Sequence, residues 1–352
     1  METENVAHAQ SASKRLIVFA PNWLGDAIMA LPAIDDVRRH VPGASISVAA
    51  RPSIAPLFAL VPGIRDVVVV DRQGAGWRDG VRRLREGAFD TALLLPNSLQ
   101  SAVTAWRAGI PERWGYRAQG RASLLTRAVR APVPRGHQAL YYQRLTEALG
   151  FAPGPLVPRL DAPADARRAA ADLLASAGWD GQSPLVALAP GAAYGGAKRW
   201  PAASFAALAA ALASDGVMSV LVGGSADAGA GAGVMETGIS LREAQGKNVA
   251  VPINLIGRTD LPTLAGVLAR CRALVSNDSG AMHVGAALGV PLVAIFGPTN
   301  ERETRPVGRL DPVVLSHDVW CRPCMLRECP LTHRCMRGVR VETVLAAVRE
   351  AS

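Results

Sequence analysis

The chain has 352 residues, 49% of them hydrophobic and only 19% charged, which describes a folded protein of roughly two ordinary domains and excludes a disordered chain. Lysine and arginine number 38 against 29 acidic residues, a net charge of +9, and only Lys14, Lys198 and Lys247 are lysines. No run approaches the ~18 to 20 uninterrupted apolar residues of a membrane span, and residues 1–13, an N-terminal tail, carry no apolar core of a secretory signal, so a cytosolic protein is expected.

From the start of the folded chain, strand-like and helix-like runs alternate. Arg15–Ala20, Ser45–Ala50, Val67–Asp71 and Thr91–Leu95 are short β-branched or apolar runs, separated by amphipathic stretches such as Asp26–His40 and Trp77–Glu86. That alternation predicts βαβ units and a parallel sheet covered on both faces. The turn after the first run reads PNWLGDAIM and holds no G-x-G-x-x-G, which removes the best support for a dinucleotide-binding enzyme; GxxxxGK[ST] is absent as well. Gly25 allows a tight turn and close backbone approach. Asp26 then stands at a helix start, where it either caps the helix or, partly desolvated, acts as a general base at the mouth of a cleft.

Between Arg113 and Arg135 lie six arginines (Arg113, Arg117, Arg121, Arg127, Arg130, Arg135) and no acidic residue. Such a stretch is either a solvated basic loop or a surface for a polyanion: nucleic acid, an anionic membrane or an acidic glycolipid. Nucleic acid is the weaker reading, because aromatic residues make up only 5% of the chain and no stacking motif accompanies the arginines.

Residues 151–163, FAPGPLVPRLDAP, read as a proline-rich linker joining a domain over 14–150 to a second over 164–317, with a cysteine-rich segment and C-terminal helix over 318–352. Two α/β halves with such a hinge imply a ligand cleft between domains. The second half repeats the alternation: candidate strands at Leu185–Ala189, Met218–Val222, Asn254–Ile256, Ala273–Ser276 and Pro291–Ile295, and helices at Ala202–Ser214 and Leu261–Ala269. Gly223–Gly233, GGSADAGAGAG, reads as a flexible connection.

Two loops of this half sit at strand ends. In PGAAYGGAKRWP the small residues let backbone lie against a ligand, and Lys198 is either a surface cation or a phosphate contact. In VSNDSGAMHVGAALGVPLVAIFGPT a polar corner separates a strand from a helix over Met282–Leu288. That corner is either a capped turn or an anion site, since a helix start points unpaired N–H groups and partial positive charge outward. The N–H groups near Ser279 to Met282, with Lys198, could hold a diphosphate without a metal. His283, in the first turn, is either packed or a phosphate donor.

PNWLGDAIMALPA, AKRWP and SNDSGAMHVGAALGVPLVAIFGPT together resemble the bacterial ADP-heptose:lipopolysaccharide heptosyltransferases, over nearly the whole chain from Leu16 to about Gly338. The resemblance implies a GT-B fold: α/β, with two Rossmann-like domains whose parallel sheets face each other across a cleft. It also implies inverting, metal-independent transfer of L-glycero-D-manno-heptose from ADP-heptose to a Kdo-lipid A-type acceptor at the inner leaflet. Asp26 would be the base. Tyr194, Lys198, Asp278, Ser279, Gly280, Met282 and His283 would meet the donor, and Asn22 and Gly25, with Arg113, Arg117 and Arg121 on our own reading of charge, the acceptor. No cofactor is required for catalysis, no nucleic acid is expected, and the enzyme would be cytoplasmic, in peripheral contact with the cytoplasmic membrane. A different acceptor with the same donor, as in a heptosyltransferase I or a protein heptosyltransferase, and a non-catalytic basic polyanion-binding protein are the alternatives.

CRPCMLRECPLTHRC places Cys321, Cys324, Cys329 and Cys335 at C-x2-C-x4-C-x5-C spacing. Structural zinc, reduced thiols, and disulfides or an iron–sulfur site are all open to such a cluster. Cys271 reads as core.

Overall fold

The computed structural model describes residues 15–40, 45–134, 136–245 and 251–351; the tail over 1–13, Lys14, Arg135 and Lys247 lie outside the described residues. The chain divides into two compact units, Met1–Arg159 and Leu160–Ser352.

The first unit runs β1 (Arg15–Phe19), α1 (Leu24–Met29), α2 (Leu31–His40), β2 (Ser45–Ala50), β3 (Asp66–Val69), α3 (Gly74–Glu86), β4 (Thr91–Leu94), α4 (Leu99–Arg107), β5 (Glu112–Tyr116), β6 (Arg127–Val129) and α5 (Gln138–Ala148). Its sheet is parallel throughout, in the order β3-β2-β1-β4-β5-β6, with Ile17 beside both Ser47 and Ala92. Leu16 to Phe19 and Thr91 to Leu94 are all buried, as strands covered on both faces require. Winding reverses between β1 and β4, so a crevice opens beyond the C-terminal ends of those two strands. Asn22, Pro96 and Ser98 lie there.

The second unit runs α6 (Ala164–Ser176), β7 (Leu185–Ala189), α7 (Ala202–Ser214), β8 (Met218–Leu221), α8 (Ala228–Gln245), β9 (Ile253–Asn254), α9 (Leu261–Leu268), β10 (Ala273–Asn277), α10 (Gly280–Leu288), β11 (Leu292–Phe296), α11 (Glu301–Thr304), β12 (Val313–Ser316), α12 (Arg334–Arg337) and α13 (Val341–Ala351). The parallel order β12-β11-β10-β7-β8-β9 repeats the first pattern, with its reversal between β7 and β10. Val186, Phe205, Leu212, Val275, Ile295, Val344 and Val348 share one core, so α13 packs into this unit. The Arg349–Asp215 pair, at 2.9 Å, fastens α13 to the end of α7.

Two expectations about elements need correction. Asp26–His40 is two helices rather than one, broken at Ala30. Gly223–Gly233 is not a loose connection: from Ala228 it belongs to α8. Gly231 is there for close packing, since a Cβ on it would meet Ile256 Cδ1 at 2.5 Å. Among the described residues no helix is long and apolar enough to cross a membrane.

Candidate active site

In the second unit Lys198 and Asp278, both singled out in the sequence, meet where β7 and β10 end. Lys198 Nζ lies 2.5 Å from Asp278 Oδ2, with the two side chains 11% and 6% exposed. Thr299 Oγ1 donates to the same Asp278 oxygen at 2.5 Å. Asn277 ties the rest of the corner: its Oδ1 accepts the Trp200 N–H at 3.0 Å and its Nδ2 donates to the Pro190 carbonyl at 2.8 Å. The Lys198 loop is thus fixed to β10 from both sides. A buried ion pair has a large desolvation cost, which only a well-satisfied geometry offsets, and here the threonine supplies the further hydrogen bond.

Asp278 therefore faces Lys198 and Thr299. A carboxylate so placed repels a phosphate, and what it can do is hold the lysine in position. Ser279 is the N-cap of α10 but makes no side-chain capping bond, its hydroxyl lying 3.2 Å from Ser276 Oγ. The capped-turn reading of this corner is thus not what the side chains do. The first-turn N–H groups of Gly280, Ala281 and Met282 have no carbonyl of their own helix to reach. Met282 and His283 themselves are buried, at 0% and 5% exposure.

The cysteine-rich segment covers this loop. Tyr194 donates its hydroxyl to the Met325 carbonyl at 2.7 Å, Ala197 N–H reaches the Arg327 carbonyl at 2.9 Å, and Gly196 N–H reaches Glu328 Oε1 at 2.9 Å. Arg322 anchors the segment from behind, through the Gly297 carbonyl at 2.6 Å and Glu301 at 2.7 Å. All four clustered cysteines are free thiols and line one cavity of about 160 Å³ with Ala197 and Pro298. The zinc arrangement is not assembled: among the described residues no group of three or more His, Cys, Asp or Glu is placed to hold a metal ion. Cys271 is buried, and burial pushes its thiol up to about 12.

In the first unit Asp26 lies in the first turn of α1 and is partly exposed; the N-cap is Trp23, so Asp26 does not cap the helix. A pocket of about 60 Å³ opens at the ends of β1 to β4, lined by Asn22, Arg51, Arg72, Ser98 and Gln100 among others. Burial, and then the charge of Arg72, lower the Arg51 pKa, while Asp71 raises it. Arg51 and Arg72 line this pocket together with Asp71, whose carboxylate offsets part of their charge and leaves a net positive set that favours an anion.

The arginines expected to meet the acceptor divide differently. Arg113 stands at the start of β5 and spends its guanidinium on the carbonyls of Leu124, Ile110 and Pro111 at 2.6–2.8 Å. Arg121 is completely buried, which removes it as a surface contact. Arg117 and Arg130 are exposed, and Arg127 stacks on Trp114 at 5.0 Å. Sequence reasoning missed Arg51, Arg72 and Thr299, and marked Asn277 as part of the polar corner without giving it a role. Asn277 and Thr299 both lie inside the motif already singled out; Arg51 and Arg72 follow the second and third strand runs, where strand-end position was the available signal.

The description of glycosyltransferase family 9 (heptosyltransferase) matches residues 77–334. Lipopolysaccharide heptosyltransferase 2 of Salmonella typhimurium is 32% identical over 313 residues, covering 85% of this chain and 87% of its own. The structure of E. coli ADP-heptose LPS heptosyltransferase II has a TM-score of 0.80 at 28% identity, covering 96% of this chain and 98% of that one. E. coli heptosyltransferase WaaC with ADP, at 19% identity, shares the fold with a TM-score of 0.70, over 96% and 100% of the two chains. The two parallel six-stranded sheets are those of the GT-B heptosyltransferase structures.

Proposed function

Because the chain belongs to glycosyltransferase family 9, the heptosyltransferases, we propose that it is a heptosyltransferase II, an inverting enzyme that moves L-glycero-D-manno-heptose from ADP-heptose to the first heptose of heptosyl-Kdo2-lipid A. The observation that carries the reading is the corner where Lys198, braced by Asp278 and Thr299, stands beside the start of α10. It is suited to a leaving diphosphate. The likeness to heptosyltransferase 2 of Salmonella typhimurium supports the acceptor named.

In this mechanism Asp26 takes the proton from the acceptor hydroxyl as its oxygen attacks the anomeric carbon. The bond to ADP breaks on the opposite face, which inverts the centre through an oxocarbenium-like transition state. Main-chain N–H groups at Gly280 to Met282 and the Lys198 ammonium meet the charge growing on the departing phosphate. The donor set supplies this field with no catalytic metal. Tyr194 backs Lys198, with the ammonium 4.7 Å from its ring centroid. Asn22, Arg51, Arg72 and the exposed Arg117 hold the acceptor's carboxylates and phosphates. Arg117 and Arg130 give the first unit a basic face for the inner leaflet, so the enzyme works in the cytoplasm in peripheral contact with the membrane.

The test is acceptor dependence. ADP release from ADP-heptose is expected with heptosyl-Kdo2-lipid A and not with Kdo2-lipid A or a protein alone. Turnover confined to either of the latter two would reassign the acceptor, and no ADP release with any of them would end the reading.

A further inference from the structure

The ion pair at the proposed donor corner is neutral, because the Lys198 ammonium is matched by the Asp278 carboxylate at 2.5 Å. A nucleoside diphosphate leaving group brings roughly two negative charges, so this corner alone does not balance it. A second cation is built in beside it from the cysteine-rich segment. Arg327 Cζ lies 5.4 Å from the centroid of the Tyr194 ring, the ring that also carries Lys198 Nζ at 4.7 Å. Arg327 is exposed and its guanidinium has no ion pair or hydrogen bond among the described residues. Its acidic neighbour, Glu328, is directed to the Gly196 N–H. Both cations contact the same ring, and because Asp278 matches Lys198, Arg327 is the charge left for an anion to meet.

The placement is not casual. The Arg327 carbonyl accepts from Ala197 N–H at 2.9 Å, and the Met325 carbonyl holds the Tyr194 hydroxyl at 2.7 Å. Gly195, at φ +157°, sits so close that a Cβ there would lie 2.2 Å from the Arg327 carbonyl oxygen. The segment is thereby registered onto the 194–198 loop to within a single residue. We propose that the cysteine-rich segment is a working part of the donor site and that Arg327 is a second contact to the donor diphosphate. This rests on the donor reading above and extends it to a segment that the transfer chemistry alone leaves without a task.

The experiment measures ADP binding by calorimetry, at two salt concentrations, for the full-length protein and its Arg327→Lys, Arg327→Gln and Arg327→Ala variants, with melting curves to show folding. Loss of one charge-assisted contact weakens ADP roughly ten- to a hundredfold in the Gln and Ala variants. The Lys variant should keep most of the affinity, and the salt dependence should be shallower in the Gln variant than in the parent. A Gln variant that binds ADP as the parent does, or a Lys variant that loses as much as Gln, would overturn the assignment in favour of packing on Tyr194. A parent protein that does not bind ADP would bring down the donor reading, and this inference with it; the two failures are therefore distinct.

Discussion

A guanidinium buried to 0% exposure with no carboxylate against it must be held by neutral partners, and Arg121 is held by four. Its Nε donates to the Tyr116 carbonyl at 2.9 Å, and its Nη1 to the carbonyls of Pro96 and Ser98 and to Ser101 Oγ. Burial lowers its pKa to about 10, so it stays charged at neutral pH, and its Nη2 has no hydrogen-bond partner. Arg121 thereby stitches the end of β5 to the 96–101 loop, whose residues line the pocket at the strand ends. Arg121→Met would remove the costly charge but take a donor from three carbonyls, of which that of Ser98 keeps the Ser101 hydroxyl at 2.7 Å. At about 1–3 kcal/mol for each unsatisfied group, less the recovered desolvation, we expect urea unfolding to show a loss of about 2–4 kcal/mol. A variant as stable as the parent would show that the burial cost cancels the bonds. Nothing in RASLLTR marks that arginine as internal, because the decision is made by carbonyls more than 20 residues earlier. Lys198 was legible for the opposite reason: it is one of three lysines in an arginine-rich chain and follows a run of small residues. Thr299, which bonds the Asp278 carboxylate that Lys198 pairs with, is 21 positions beyond that aspartate and was not.

At the scale of elements, the strands buried on both faces announced themselves. LVALA, ALVSN and LVAIF are nearly continuous apolar runs, and each became a fully buried strand. β5, ERWGY, and β6, RAV, did not, because they lie toward the sheet edge and carry arginines that bond carbonyls or stack on Trp114. Helix α8 was hidden by its glycines, which read as flexibility although Gly231 is a packing position against Ile256. The same distinction between kinds of glycine yields a paired prediction. Gly195→Ala places a Cβ against the Arg327 carbonyl and should reduce both melting temperature and ADP affinity. Gly229→Ala, in α8 with nothing within 4 Å of its added Cβ, should leave ADP binding alone and stabilise the protein by about 0.5–1 kcal/mol. Equal effects at the two positions would contradict the close approach of the cysteine-rich segment to the 194–198 loop.

For the whole molecule, alternation of apolar and amphipathic runs was enough to foresee two α/β units, and the boundary at Arg159 and Leu160 falls inside the proline-rich stretch. Motif spacing brought Lys198 and Asp278 together because both lie in strand-end loops near the winding reversal of a parallel sheet, where ligands most often bind. Charge was a poorer guide. A run of arginines along the chain is not a patch in space, and the structure sends Arg113 to main-chain carbonyls and Arg121 into the core while bringing Arg51 and Arg72, distant in sequence, to one pocket. The division of labour is the central claim: Asp26 does proton chemistry on the acceptor, and the Lys198 corner handles the donor. The measurement that meets it head-on is a comparison of Asp26→Asn with the parent for ADP-heptose affinity and for single-turnover heptosyl transfer. The account predicts transfer slowed by about 10²–10⁴-fold with donor affinity unchanged, as expected for loss of a general base. Transfer at the parent rate, or donor binding lost along with it, would contradict that assignment.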